Sequence, residues 1–254
     1  MLSGAAQISL QFPRLPRQQR HERVQVWARG MLERLGVALV IRGVPAGTGP
    51  MLLVANHISW LDIVVLHASC FCRFVSKADV ERWPLIGTLA SGGETLYVER
   101  RSRRDALRVV HQMAQALLDG DVLAVFPEGT TGDGSSVLPF HANLLQAAIS
   151  ADAPVQPVAL QFVEGGSEAL SRAVSYVGDE SLVGSIWRTL CARELRARIT
   201  FGTPQRADGR DRRAWAADLR DEINALRTAG VAPRCDAVAR TRSRDSAGSS
   251  RCRS

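Results

Sequence analysis

Seven short apolar runs alternate with helical periods along most of this chain, and that alternation limits what it can fold into. The runs are Val37–Ile41, Met51–Ala55, Cys70–Val75, Thr95–Val98, Val122–Phe126, Val155–Phe162 and Leu195–Phe201. Each has the length and the branched or aromatic content of a strand. Helical periods fall near Trp60–Ala68, Arg103–Leu118, Phe140–Ile149, Leu182–Cys191 and Arg210–Arg227. In the second of these, Ser102 is a good N-cap, and Ala106, Val109, Val110, Met113 and Leu117 make one stripe that stops before Gly120. Mixed elements in this order predict a single α/β domain whose mixed, largely buried sheet is covered by helices.

An amphipathic helix is predicted ahead of that domain, from about Gln18 to Leu35. Val24, Trp27, Met31 and Leu35 recur along one side of it, with arginines over much of the rest. Such a helix suits a membrane interface, where Trp and Leu sit among headgroups, and equally a place docked on the domain. Pro13 and Pro16 oppose any helix in residues 1–16. At the other end, the Ser, Gly, Arg and Ala mixture of residues 229–254 cannot build a core and reads as a disordered tail. The expected organisation is therefore a basic arm and helix over 1–35, a folded domain over 36–228 and an Arg/Ser-rich tail.

Charge follows the same division. The net charge is +7, and residues 1–34 and 229–254 each hold six arginines against two acidic residues, or +4 apiece, leaving −1 for the segment between. A nucleic-acid-binding domain would carry its basic stripe on the folded body beside a recognisable motif, and none is visible, so nucleic acid is not an expected partner. Basic ends fit an anionic membrane surface better. No run reaches 18 consecutive apolar residues, so no segment is expected to span a bilayer. The five cysteines, at 70, 72, 191, 235 and 252, show no metal-ligand spacing, and their odd number without a signal peptide favours a reducing compartment.

Two loops at predicted strand ends carry the chemistry. Asn56-His57-Ile58-Ser59-Trp60-Leu61-Asp62 follows the apolar run Met51–Ala55. On one continuous helix His57 and Asp62 would be about 500° apart and face different sides. They meet if His57 lies on the turn and Ser59 caps a helix starting at Trp60. A histidine held by a carboxylate is the minimum apparatus for taking a proton from a hydroxyl. The second loop, Pro127-Glu128-Gly129-Thr130-Thr131-Gly132-Asp133-Gly134, offers backbone N–H groups and hydroxyls to an anion. It lacks the Gly-Lys-Ser/Thr ending of a nucleotide-binding loop.

Together, Asn56-His57-x-x-x-x-Asp62 and Phe126-Pro127-Glu128-Gly129-Thr130, about 65 residues apart, resemble the glycerolipid acyltransferases, the lysophosphatidic acid acyltransferase superfamily. Gly93-Glu94-Thr95-Leu96-Tyr97-Val98-Glu99-Arg100 and Ala153-Pro154-Val155-Gln156-Pro157-Val158 are similar to two further blocks of that family. The resemblance runs from about Gly36 to Pro204 and makes 36–228 an acyltransferase domain. It implies His57 as general base and Asp62 as its partner, with Glu128, Gly129 and Thr130 at the acceptor. Thr131 stands where the family often has arginine, so Lys77 and Arg100 become the cationic candidates for a phosphate. Lys77 is the chain's single lysine, against 31 arginines.

The implied reaction moves a fatty acyl group from acyl-CoA or acyl carrier protein to the free hydroxyl of a lysophospholipid, 1-acyl-glycerol-3-phosphate first among them. No metal or tightly bound cofactor is implied. A lyso-ornithine lipid or another lysolipid is the alternative acceptor, and a non-catalytic membrane-binding protein is the alternative of another class. The resemblance places the protein at the cytoplasmic face of the inner membrane, peripheral or anchored by an upstream apolar segment of the kind such proteins often carry.

Overall fold

The computed structural model describes residues 8, 11–82, 86–98, 102–166, 169–178, 180–192 and 194–229, with the side chains of Lys77 and Arg103 excepted. Arg100 and all but the first residue of the predicted tail lie outside them. Seven strands form one sheet: β1 (Ala38–Arg42), β2 (Met51–Ala55), β3 (Arg73–Lys77), β4 (Leu96–Val98), β5 (Val122–Val125), β6 (Val155–Glu164) and β7 (Leu195–Phe201). Their spatial order is β1-β7-β6-β2-β5-β3-β4, and every neighbouring pair is parallel except β6 with β7. The sheet is therefore mixed, as the alternation of runs predicts.

Seven α-helices are present among the described residues: α1 (Arg17–Arg34), α2 (Leu61–Ser69), α3 (Ile86–Gly92), α4 (Arg103–Leu118), α5 (Leu145–Ser150), α6 (Leu182–Cys191) and α7 (Arg212–Ala229). One core lies between the sheet and α1 and α2, and a second between the sheet and α4, α5 and α7. Covered on both faces, all five residues of β2 are buried, which is why its sequence shows no polar alternation. Ser102 caps α4 by accepting from the Asp105 N–H at 3.2 Å.

The amphipathic helix is docked. α1 buries Val24, Ala28, Met31 and Leu32, with Trp27 and Leu35 packed partly against the same core. Its first turns are latched by charge, with Arg17 bonded to Glu94 and Asp121, and Arg73 also bonded to Asp121. His21 stacks on Phe71, with ring centroids 3.4 Å apart.

Behind that latch, His67 of α2 is buried among Phe71 and Phe74. Burial, helped by the nearby charge of His21, lowers its pKa from 6.5 to about 4. A folded-state pKa below the unfolded value contributes stability that is full above pH 6.5 and is lost as the pH falls toward 4, because the unfolded chain takes up the proton first. At about 1.4 kcal/mol per pH unit the loss is of the order of 3 kcal/mol. Denaturant unfolding of the His67→Leu variant is expected to show that much less loss of stability between pH 6.5 and 4 than wild type; an unchanged slope would remove His67 as its source.

Candidate active site

β2 and β5 are neighbours and parallel, so the segments that follow them leave the same edge of the sheet side by side. The carboxyl edge of an open α/β sheet is where ligands bind, and both sequence loops meet there. Asn56 makes the exit from β2 possible. Its side chain donates to the Leu160 carbonyl at 3.0 Å and accepts from the Leu160 N–H at 2.7 Å. The amide thus satisfies β6 as another strand residue would, while the backbone turns away.

His57 comes next and is held at several points. Its N–H donates to Glu128 Oε1 at 2.7 Å, and its carbonyl accepts from the Gly132 N–H at 2.8 Å. Its ring stacks on Phe126, with centroids 4.0 Å apart and planes 10° from parallel. Phe126 stacks in turn on Phe74. The position and plane of the imidazole are thereby set by β5 and the loop after it.

Asp62 sits in the first turn of α2, fully buried. Its Oδ2 lies 2.7 Å from His57 Nδ1 and also accepts from the N–H groups of Ile58 (2.6 Å) and Ser59 (2.8 Å). Three donors on one oxygen offset the cost of burying the charge. With the Nδ1 proton directed at the carboxylate, the imidazole keeps its lone pair on Nε2. The helix starts at Leu61 with Trp60 in the N-cap position and no side-chain cap, so the cap expected of Ser59 does not form; Ser59 Oγ lies one residue outside and accepts from the Leu61 N–H at 3.3 Å. The turn between His57 and the helix is what brings two residues of unsuitable helical spacing together.

Glu128 is buried, with both oxygens engaged: Oε1 by the His57 N–H and Oε2 by the Leu138 N–H at 2.9 Å. Burial pushes its carboxyl pKa up, and the Leu138 and His57 amides pull it back. The residue joins the two loops. Gly129 has φ +71°, and a β-carbon there would lie 2.9 Å from His141 Cδ2, so this turn requires glycine. Its N–H donates to the Phe126 carbonyl at 3.1 Å, while Thr130 beside it is exposed. Thr131 Oγ1 donates to the Tyr176 carbonyl.

Lys77 ends β3 at the same sheet edge, paired with Val98 of β4. Arg227 has no counterpart among the sequence expectations. It is buried on the last turn of α7 and donates to the Gly134 carbonyl and, at 3.2 Å, to Asn224 Oδ1. Glu128 and Asp133 are the carboxylates whose charge acts on it. One arginine among 31 carries no sequence mark that it will close the far end of this loop. Among the described residues, no three His, Cys, Asp or Glu side chains converge as metal ligands would.

Comparison with known proteins shows the family and the fold. Residues 29–161 match the family described as Acyltransferase. The chain is 32% identical to the 1-acyl-sn-glycerol-3-phosphate acyltransferase of Neisseria meningitidis serogroup B over 200 residues, 78% of each chain. It is 35% identical to the lyso-ornithine lipid O-acyltransferase of Pseudomonas aeruginosa over 184 residues, 72% of this chain and 70% of that one. In fold it is similar to the crystal structure of the 1-acyl-sn-glycerophosphate acyltransferase PlsC from Thermotoga maritima. There the TM-score is 0.63 at 17% identity, over 91% of this chain and 88% of the other.

Proposed function

This chain belongs to the acyltransferase family, and from that premise we propose that it acylates the free hydroxyl of 1-acyl-sn-glycerol-3-phosphate, giving phosphatidate. The acyl group comes from a thioester of coenzyme A or acyl carrier protein. The observation that carries the reading is the 2.7 Å contact between His57 Nδ1 and buried Asp62, which leaves Nε2 free to act as the base. Nε2 takes the proton of the acceptor hydroxyl as the oxygen attacks the thioester carbonyl. The tetrahedral intermediate collapses with cleavage of the C–S bond, and the imidazolium returns the proton to the departing thiolate. Asp62 stabilises the imidazolium while it exists. A thioester is already activated, so no nucleophilic serine or cysteine is required.

Glu128 and Gly129 act by shaping the loop, since the carboxylate oxygens and the N–H are all engaged within the protein. Thr130, exposed at the loop's tip, is assigned to the acceptor headgroup. Lys77 and Arg100 are assigned to the acceptor phosphate. A membrane surface supplies the lysolipid; no helix among the described residues is long and apolar enough to cross one.

A second acceptor is favoured by one specific observation. Thr131 occupies the position where an arginine would grip a phosphate, and its hydroxyl is bonded to Tyr176. That, with the similarity to a lyso-ornithine lipid acyltransferase, supports a lyso-ornithine lipid. Assay of wild type on both acceptors with an acyl thioester separates them. Turnover of 1-acyl-glycerol-3-phosphate in preference to lyso-ornithine lipid is expected, the reverse order transfers the assignment, and silence on both overturns acyl transfer to lysolipids.

A further inference from the structure

We propose that the outward face of α6, formed by Val183, Trp187 and Leu190, is the surface by which this protein docks on an anionic phospholipid bilayer, with the mouth of the His57 site turned toward the lipid. The proposal deepens the lysolipid reading above and rests on it for the direction of approach.

α6 is an amphipathic helix turned inside out. Its buried residues are the polar Ser185 and Thr189, at 1% and 0% exposure. Val183, Trp187 and Leu190 point outward at 76%, 67% and 48%, and Val177 just before the helix is 46% exposed. Spacings of four and three residues put the three helical side chains on one stripe. A helix bathed only in water buries its apolar stripe and exposes its hydroxyls. This one does the reverse, and the inner hydroxyls are bonded to suit. Ser185 Oγ accepts from the Trp60 indole at 3.1 Å, and Thr189 Oγ1 donates to the Ser185 carbonyl at 2.9 Å.

The stripe lies beside the catalytic edge. Trp60, which holds Ser185, is three residues from His57. The segment leading into α6 touches both loops of the site, since the Tyr176 N–H donates to the Ile58 carbonyl and its carbonyl accepts from Thr131. Topology adds charge. α1 and α6 lead into β1 and β7, which are adjacent and parallel (Ala38 beside Arg196), so both helices end at one edge of the sheet. β7 starts beside the end of β6, and β6 runs parallel to β2, so this is the edge on which His57 sits. At that edge α1 ends with exposed Arg34, while Arg29 donates to the Ala68 carbonyl at 2.8 Å and Arg23 lies toward the other end of the helix, where Arg17 meets Asp121. An apolar stripe containing tryptophan, with a basic helix end at the same sheet edge, complements an anionic headgroup layer over acyl chains. A second copy of the chain fits less well. Three side chains supply a few hundred Å², well below the roughly 1,200 Å² that a specific protein interface buries.

The test uses the full chain and vesicles of phosphatidylethanolamine with phosphatidylglycerol, comparing wild type with the Val183→Ser/Trp187→Ser/Leu190→Ser variant. With the melting curve retained, co-sedimentation is expected to weaken by about tenfold or more. Turnover of vesicle-embedded lysolipid should fall alongside, while turnover of a water-soluble short-chain lysolipid stays near wild type. Should the triple variant fold poorly, Trp187→Phe serves instead. Brominated acyl chains should quench wild-type fluorescence on binding and lose most of that effect in the variant. Unchanged co-sedimentation or unchanged quenching overturns the proposal. So does a wild-type dimer that becomes monomeric in the variant with vesicle binding intact, which would make the stripe a contact between copies. Stripe-dependent vesicle binding by an enzyme silent on both lysolipids would leave the docking surface standing and remove the acyl-transfer reading.

Discussion

Replacing His57 by alanine is expected to lower kcat for acyl transfer by about 10²- to 10⁴-fold, the range over which a positioned general base contributes. The loss should fall on kcat rather than KM, because the imidazole acts on the hydroxyl proton in the transition state. Folding should be nearly untouched. The backbone of His57 is what Glu128 and Gly132 grip, and alanine retains both its N–H and its carbonyl. The side chain is partly exposed, and its principal packing partner is Phe126. Steady-state kinetics with an acyl thioester and a lysolipid, beside a thermal melt, decide the matter. A variant that keeps more than about a tenth of wild-type kcat would show that His57 is not the base.

Asp62→Asn is the second large effect and separates two duties of one carboxylate. Oδ2 serves the His57 ring and the amides of Ile58 and Ser59 together. Asparagine keeps a carbonyl oxygen for those amides, so the turn and the start of α2 should survive. It provides no negative charge for the imidazolium, and its NH₂, if turned toward the ring, favours the tautomer protonated on Nε2. A fall in kcat of about 10²-fold or more is expected, with a melting temperature close to that of wild type. Residues acting as a unit are not additive, so the double variant with His57→Ala should be scarcely worse than His57→Ala alone. Multiplying losses in the double variant would show that the two residues act separately.

Local chemistry explains what could be read in the sequence. β2 and β7 and helices α4 and α6 begin and end where the runs, caps and periods place them, because each is bounded by a residue whose effect is local. The discrepancies have identifiable causes. The run Cys70–Val75 yields a strand only from Arg73, because the Cys70 N–H still bonds back to Leu66 and closes α2. The helix expected from Phe140 starts at Leu145 after a short tight turn, and the His141 N–H is drawn across to the Pro127 carbonyl. α3, seven residues with a glycine at its second and last positions, is too short and too weak in propensity to show a period.

At the site, the His57–Asp62 pair was legible because five residues and a turn are a local arrangement. Glu128 could be located but not understood, since nothing local indicates that its oxygens meet the N–H groups of His57 and Leu138. Arg227 was invisible for the same reason, 93 residues from the carbonyl it holds.

The grip of Glu128 and Gly132 on the backbone of His57 has a consequence for how such a site is inherited and built. The two halves are 71 residues apart between His57 and Glu128, joined by pairing of β2 with β5 and not by the chain between them. Loop-closure entropy grows only as the logarithm of length. An insertion in the intervening crossover would therefore cost little and leave the base where it is, provided β5 still finds β2. Conversely, a nascent chain that has emerged only as far as α4 carries the histidine and its carboxylate without the clamp. The imidazole is clamped only once β5 has paired with β2 and brought Glu128 and Gly132 against its backbone.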